Sequence, residues 1–331
     1  MELTRRVHSI PANVAFYTGL LAPNVYLVAD GGQGALIDAG FPDDGSIGAR
    51  LEYLGGIPGP STGSGQAPSA GARGASASGG GSGQGLRLAE IILTHHHFDH
   101  SSGAQRLREA TGARICLHRL EERLLTDWQA DAPLDVEIPP ERREMAKMTR
   151  AWRQAAAQAT PDRLVEDGDT IRVGEATIEV IHTPGHTAGS ICLYLREEGV
   201  LFAGDTVLGL GTVAVMPPPH GDMGLYIRSL ERLKGYPATL LCPGHGPLVR
   251  DVERKLQELI DHRHQREEQM LAAVAGGRGT VKALLAEIYP ELDSRLEGMA
   301  RGQILAHMAK LVGEGRVARR GAGEEALWGL G

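Results

Sequence analysis

The first two thirds of the chain alternate short apolar runs with polar, glycine-containing turns. Within residues 7–41, the runs at 24–28 and 35–40 flank Ala29-Asp30-Gly31-Gly32, which predicts a hairpin. Further apolar runs predict strands at 88–93, 113–118, 178–181, 199–203 and 238–242. Amphipathic segments predict helices at 46–54 and 102–111. Strands and helices mixed in this way indicate an α/β protein.

Two stretches interrupt this pattern. Residues 55–85 are nearly all Gly, Ser, Ala, Pro and Gln, a composition that buries too little apolar surface to fold. We predict a disordered Gly/Ser-rich insert there, within one continuous domain.

Residues 119–160 have helical periodicity, with apolar stripes that include Trp128 and Trp152. These stripes either pack two helices against the body of the protein or form the wall of a substrate pocket.

The pattern becomes helical after residue 250. A long charged helix is followed by predicted helices at 281–289 and 296–312 and then by two short strands. Three helices followed by a two-stranded wing are typical of a winged-helix domain. We therefore predict a large α/β domain over residues 1–250 and a small winged-helix-like domain over residues 251–331.

Composition excludes several classes of protein. The apolar content of 42% and charged content of 23% are ordinary for a globular protein, and the net charge of -7 gives no general attraction to nucleic acid or anionic membranes. Cys116, Cys192 and Cys242 are far apart and form no CxxC pair, which favours a reducing compartment. No apolar run reaches membrane-spanning length. These features predict a cytoplasmic protein without a membrane partner, and they leave a homodimer open.

The most chemically loaded segment directly follows the predicted strand at 88–93. It contains His95, His97, Asp99 and His100 within six residues. In an extended chain alternate side chains share a face, so the first three would lie together, and a turn would bring His100 beside them. Imidazole and carboxylate ligands at this density favour a divalent metal such as zinc.

Three later turns offer matching ligands. His186, Asp205 and His245 each follow an apolar strand and stand next to a glycine, which lets the backbone approach closely. Strand ends that converge on one edge of a sheet make a suitable site. Asp38, at the end of another apolar strand, either caps a turn or orients a metal ligand from behind.

Together these side chains suffice for two adjacent cations. Two divalent metals about 3.5–4 Å apart bind a hydroxide between them and polarise the substrate oxygen, an arrangement suited to hydrolysis. We predict two zinc ions, with manganese or iron as alternatives. The candidate ligands are His95, His97, Asp99, His100, His186, Asp205 and His245.

The same motifs, in this order, resemble those of the metallo-β-lactamase superfamily over residues 24–250. The resemblance implies an αββα sandwich with the metals at one edge, followed here by the winged helix. It assigns His95, His97 and His186 to the first zinc. It assigns Asp99, His100 and His245 to the second zinc, with Asp205 bridging both. Asp99 would also act as the catalytic residue that orients or deprotonates the attacking water, and Asp38 would support the site without binding metal.

Finer matches resemble the mitochondrial β-lactamase-like endoribonuclease branch and its bacterial relatives. They include the segments 182–187 and 243–247, and the resemblance continues through the winged helix to the end of the chain. It implies single-stranded RNA as the substrate and phosphodiester hydrolysis as the reaction. Basic and acidic side chains nearly balance in residues 251–331, however, so any RNA-binding patch must be local, as around Arg319 and Arg320.

Two other functions fit parts of the sequence. A thioesterase or esterase of the glyoxalase II or acyl-carrier type would use the same metals and the helices of 119–160 as an acyl pocket for a small-molecule substrate. A metal-stabilised nucleic-acid-binding regulator would use the winged helix but would not need seven ligands. The sequence therefore predicts a dinuclear zinc hydrolase whose substrate stays open between RNA and a small acyl compound.

Overall fold

The computed structural model describes residues 1–10, 22–57, 85–130, 143–321 and 326–331. The predicted insert at 55–85 therefore lies almost wholly outside the described residues. The same is true of residues 131–142 within the 119–160 segment and of the tip of the predicted wing.

The first of the two large sheets in the described residues contains six strands, and their order in space follows their order in the chain. They are β1 (Val7–Ile10), β2 (Val25–Asp30), β3 (Gln33–Ile37), β4 (Arg87–Ile92), β5 (Arg114–His118) and β6 (Arg163–Val165). β1 to β3 are antiparallel, whereas β3 to β6 are parallel. Because β3 and β4 are parallel neighbours, the residues that follow them meet at one edge of the sheet.

The second sheet contains five strands in the order β11-β10-β9-β8-β7. They are β7 (Thr170–Val173), β8 (Ala176–His182), β9 (Ile191–Leu195), β10 (Val200–Gly204) and β11 (Leu240–Pro243). β8 and β10 flank β9, to which both are antiparallel, and β11 is parallel to β10. The segments after β8, β10 and β11 therefore also leave the sheet at a common edge.

The two sheets pack face to face through one apolar cluster, in which Tyr26 and Phe202 have ring centroids 5.6 Å apart. Helices cover the outer faces, which gives the predicted αββα sandwich. Those on the first sheet are α1 (Asp44–Gly55), α2 (Phe98–Ser101), α3 (Ala104–Thr111), α4 (Glu122–Thr126) and α5 (Arg143–Ala156). Those on the second sheet are α6 (Met223–Leu233) and α7 (Val252–Ala275).

The C-terminal residues form the predicted winged helix. α7 is followed by α8 (Val281–Ile288), α9 (Glu297–Gly313) and the antiparallel pair β12 (Val317–Arg320) and β13 (Leu327–Leu330). A separate apolar cluster holds these elements together, with Leu284, Ile304 and Trp328 among its members. None of the helices in the described part of the chain has the length and hydropathy needed to cross a lipid bilayer.

The structure differs from the sequence prediction around the histidine-rich segment. α2 begins at Phe98, four residues before the predicted helix start, so Asp99 lies in the first turn of a helix rather than on an extended strand. The predicted helix at 102–111 corresponds to α3, and α2 is an additional short helix before it. The division of the chain at residue 250 stays a prediction.

Candidate metal centre

All seven predicted ligands lie at the common edge of the two sheets. His95 and His97 follow β4, and α2 turns the chain so that Asp99 and His100 face the same space. From the second sheet, the segments after β8, β10 and β11 contribute the other three, which are His186, Asp205 and His245. The ligands therefore come from four separate segments, and only the fold brings them together.

Three histidines form the first group. The Nε2 atoms of His95 and His186 lie 3.0 and 2.9 Å from Nδ1 of His97. The Nδ1–H of His186 donates to the Ala214 carbonyl at 2.8 Å, so Nε2 is the ring nitrogen that faces the group. The hydroxyl of Thr94 donates to Asp38 and accepts from Nδ1 of His95, which leaves Nε2 of His95 facing the group as well. A single proton on His97 cannot satisfy both nitrogens, whereas one cation would bind all three.

Asp99, His100 and His245 form the second group, and their ligand atoms also lie within 4.8 Å of one another. Nε2 of His245 is 3.1 Å from Nε2 of His100 and 3.3 Å from the carboxylate of Asp99. His100 is completely buried, and its Nδ1–H donates to Asp38 at 2.8 Å. That hydrogen bond fixes the ring so that Nε2 points into the group.

Asp205 stands between the two groups. Its Oδ1 atom is 3.3 Å from Nε2 of His100 and 3.5 Å from Nε2 of His245, whereas Oδ2 is 3.8 Å from Nε2 of His186. Oδ1 is buried and makes no hydrogen bond to the residues that the structure describes. A Cβ on Gly244 would lie 2.2 Å from this oxygen, so only glycine allows the backbone to approach so closely. An orphaned carboxylate oxygen facing imidazoles fits a metal-binding role.

The protonation of the cluster suits a cation. Burial and the surrounding imidazoles hold the pKa of His95 well below its usual value, so this ring is neutral. Burial opposes ionisation of Asp99, but His100 and His245 outweigh it and lower the pKa of Asp99 to about 2. For His100, burial is outweighed by Asp205, Asp38 and Asp99, which raise its pKa well above the ordinary value. The field that favours a proton on His100 would equally attract a metal ion.

One buried residue of the site escaped the sequence prediction. Glu121, which is fully buried, accepts hydrogen bonds from the backbone N–H groups of His96 and Gly189 at 3.0 and 2.6 Å, and it pairs with the His96 ring. It thereby ties the loop of His95 and His97 to the loop that follows His186. Burial opposes ionisation, but the contacts with His96 lower the pKa of Glu121 to about 2. Nothing in the sequence spacing distinguishes this glutamate from its exposed neighbour Glu122.

The two stripes of residues 119–160 lie in different surroundings. Trp152 of α5 is buried between Phe41 and Phe98, at ring distances of 4.6 and 5.7 Å, which is a packing role. The other stripe borders the metal centre. It contributes to a narrow cavity beside His97 whose further lining includes Phe98, Leu124, Leu125, Trp128, Arg153 and Ala156.

Two facing sheets with a cluster of histidines and aspartates at one edge define an αββα fold of the metallohydrolase class. The chain belongs to the metallo-β-lactamase superfamily, because the sequence model of that family matches residues 18–245. The sequence model of the β-lactamase-associated winged helix domain matches residues 280–328. The predicted family and fold class are therefore confirmed, and so is the prediction of an enzyme of the hydrolase class.

Named relatives add detail. The chain is 31% identical over 215 residues to an atrochrysone carboxyl ACP thioesterase of Paecilomyces divaricatus, covering 61% of this chain and 65% of that one. It is 42% identical over 107 residues to a β-lactamase-like protein 2 homolog of Caenorhabditis elegans, covering 32% and 35%. The aligned parts thus span less than two thirds of these relatives. A metallo-β-lactamase family protein of Thermus thermophilus shares the fold, with a TM-score of 0.69, 24% identity and complete coverage of both chains.

Proposed function

We propose that the chain is a dinuclear zinc hydrolase. His95, His97 and His186 would hold the first cation, Asp99, His100 and His245 would hold the second, and Asp205 would bind both. The observation that carries this proposal is the division of the Asp205 carboxylate, whose Oδ1 faces the second group and whose Oδ2 faces the first. Three histidines alone would bind one metal ion. A carboxylate with one oxygen facing each group is placed to bridge two metal ions.

Two bound zinc ions would supply an activated water at neutral pH and would polarise the scissile bond of the substrate. The chain itself contributes orientation and proton transfer. Asp99 is the most exposed carboxylate of the cluster, with 24% of its side chain accessible, so it lies where an incoming water can reach it. It is therefore the side chain that would orient the attacking water and accept its proton. Asp38 would keep the His100 ring in place without touching metal.

We further propose a small acyl thioester or ester as the substrate. The cavity beside His97 supports this choice, because Leu124, Trp128 and Ala156 give it an apolar wall next to the first metal position. One relative is named as an ACP thioesterase, and the bond that a thioesterase cleaves is the thioester proposed here. The three cysteines are buried free thiols, in keeping with the cytoplasmic location that we propose.

Single-stranded RNA is the second candidate, favoured by the winged helix and by the match to the β-lactamase-like protein 2 homolog. The charges of the described residues weaken it. Arg316 near the wing pairs with Glu268 at 3.0 Å and Arg319 lies over the Trp328 ring, which leaves exposed Arg320 as the main cation of the predicted patch. α9 buries Gly302, Gln303 and Ala306, and it packs against α6 rather than presenting a free helix to a nucleic acid.

A parallel assay tests these proposals. Zinc-loaded protein would be offered an acyl-CoA, S-lactoylglutathione, single-stranded RNA and a chromogenic cephalosporin, with Asp205→Ala as the blank. We expect thioester hydrolysis that the blank lacks. RNA cleavage by the wild type alone would replace the acyl substrate with the second candidate, and cleavage in the blank would point to a contaminating nuclease. Fewer than two zinc ions per chain after careful loading would contradict the dinuclear site.

A further inference from the structure

We infer that Arg263, on α7, is a positioning residue that holds two of the proposed metal ligands, His186 and Asp205, from outside the sandwich. The inference rests on the proposed function, because it takes both side chains as ligands. It concerns the segment 205–222 between β10 and α6, which begins with Asp205 and passes close to His186.

The link to His186 passes through two adjacent carbonyl groups. Ala214 accepts the Nδ1–H of His186 at 2.8 Å, and this hydrogen bond sets the direction of Nε2. The preceding carbonyl, that of Val213, accepts Nη2 of Arg263 at 2.7 Å and Nε2 of Gln303 at 3.1 Å. Two donors on one carbonyl occupy both of its lone pairs, so the peptide before Ala214 is fixed in orientation.

The winged helix takes part in this arrangement. Gln303 belongs to α9, and its Oε1 accepts Nη1 of Arg263 at 3.3 Å while its Nε2 donates to Val213. Gly302 beside it contacts Met216, another residue of the 205–222 segment. The C-terminal region therefore contacts the segment that supports His186 rather than only covering the outside of the second sheet.

The link to Asp205 passes through Tyr226 of α6. The guanidinium carbon of Arg263 lies 5.1 Å from the centre of the Tyr226 ring, whose hydroxyl donates to the Thr206 carbonyl at 3.0 Å. Thr206 directly follows Asp205. A Cβ on Gly185 would lie 2.4 Å from Cα of Tyr226, so the same tyrosine also packs against the residue before His186.

The chemistry of arginine suits this role. Arg263 is 2% exposed, and its planar guanidinium donates to two acceptors while its face lies over a ring. A lysine offers a single ammonium group and cannot make these contacts together. Without them, the Val213 peptide and the Tyr226 ring would each gain freedom, and both ligands would lose a fixed direction.

The test compares Arg263→Gln and Arg263→Lys with Arg266→Gln. Arg266 lies on the same helix, but it contacts Gln269, the Ile288 carbonyl and the Tyr289 ring rather than the 205–222 segment. Zinc affinity is measured by competition with a chelator, and the cobalt-substituted proteins are compared by visible absorption. These readouts report on the ligands directly, whereas a purely structural role would change only thermal stability.

We expect both Arg263 variants to bind zinc about tenfold or more weakly and to show an altered cobalt spectrum, as is usual when the support of a metal ligand is removed. Arg266→Gln should match the wild type in both measurements. If Arg263→Gln does not fold, Gln303→Leu decides, since it removes one donor to Val213 and should weaken zinc binding several-fold. Wild-type affinity and spectra in folded Arg263 variants would overturn the inference. A wild type that binds fewer than two metals would instead overturn the proposed function.

Discussion

At the scale of single residues, the conformation of Asp38 shows how the site is held in place. It is buried and has a φ of 59°, a left-handed conformation that is uncommon for residues other than glycine. In that conformation its carboxylate accepts from the Thr94 N–H and hydroxyl and from His100, at 2.8 to 3.0 Å. The strained backbone at Asp38 thus lets one carboxylate hold two positions of the site, Thr94 just before His95 and the His100 ring.

Asp38→Asn is expected to weaken binding of the second metal about 10- to 100-fold. Asparagine tolerates the left-handed backbone but lacks one of the two anionic oxygens that hold Thr94 and His100. Zinc stoichiometry and chelator competition would measure the loss. Asp43→Asn, at the N-cap of α1, makes the same chemical change away from the cluster, and asparagine caps as well as aspartate. The zinc-binding curve of Asp43→Asn should match that of the wild type. An unchanged curve for Asp38→Asn would contradict the proposal that Asp38 supports the second metal site.

Glu121→Gln should destabilise the metal-free protein by roughly 3 kcal/mol at pH 7, because it removes the buried negative charge that accepts the N–H groups of His96 and Gly189. The pKa of Glu121 is lowered to about 2 in the folded protein. Its contribution is therefore complete above its unfolded pKa near 4.5 and is lost as the pH falls towards 2. Urea unfolding at several pH values should show the difference from wild type shrinking below pH 5. Exposed Glu122→Gln is the control, and a difference that grows in acid would contradict the pairing.

At the scale of elements, the strands and most helices were predictable because they bury apolar side chains at regular spacing. The strand before His95 was predicted from its apolar run, and α7 and α8 begin at local N-caps, Asp251 and Thr280. The early start of α2 at Phe98 did not follow, because Phe98 is half-buried against Trp152, a contact between residues more than fifty positions apart. Glu121 was missed for the same reason, since its partners are distant in sequence.

The cavity formed by α4 and α5 gives a prediction about substrate choice. Trp128→Ala should raise KM about tenfold for a medium-chain acyl thioester, or ~1.4 kcal/mol, and less for an acetyl thioester. Trp128 lines the cavity beside His97, so its removal costs the longer chain more contact. Leu120→Ala, at a 51% exposed position of the same segment, should leave KM unchanged. Equal effects on short and long acyl chains would argue against an acyl pocket.

At the scale of the whole molecule, the site exists because parallel strand ends from both sheets meet at one edge. β3 and β4 bring Asp38 beside the histidine segment, and β10 and β11 bring Asp205 beside His245. The sequence predicted that these seven side chains would lie together, since each of their four segments follows an apolar strand, and their role as metal ligands stays a prediction. It could not predict that the C-terminal helices support them, because Arg263 and Gln303 have no metal-ligand spacing and act through the Val213 carbonyl.

Metal binding to the folded chain should also stabilise it. A ligand present at a thousand times its Kd adds about 4 kcal/mol to the free energy of unfolding. Removal of zinc by a chelator is therefore expected to lower the Tm by roughly 10 °C. Differential scanning calorimetry measures this change, with the Asp205→Ala variant showing a smaller one. A Tm that is indifferent to the chelator in the wild type would count against a metal held by four separate segments.

The most direct test of the dinuclear site is to locate the metals. Anomalous diffraction at the zinc edge from crystals of the zinc-loaded protein would show where each ion binds. We predict two peaks about 3.5–4 Å apart, one within the group of His95, His97 and His186 and one within the group of Asp99, His100 and His245, with Asp205 between them. A single peak, or peaks away from these side chains, would contradict the account.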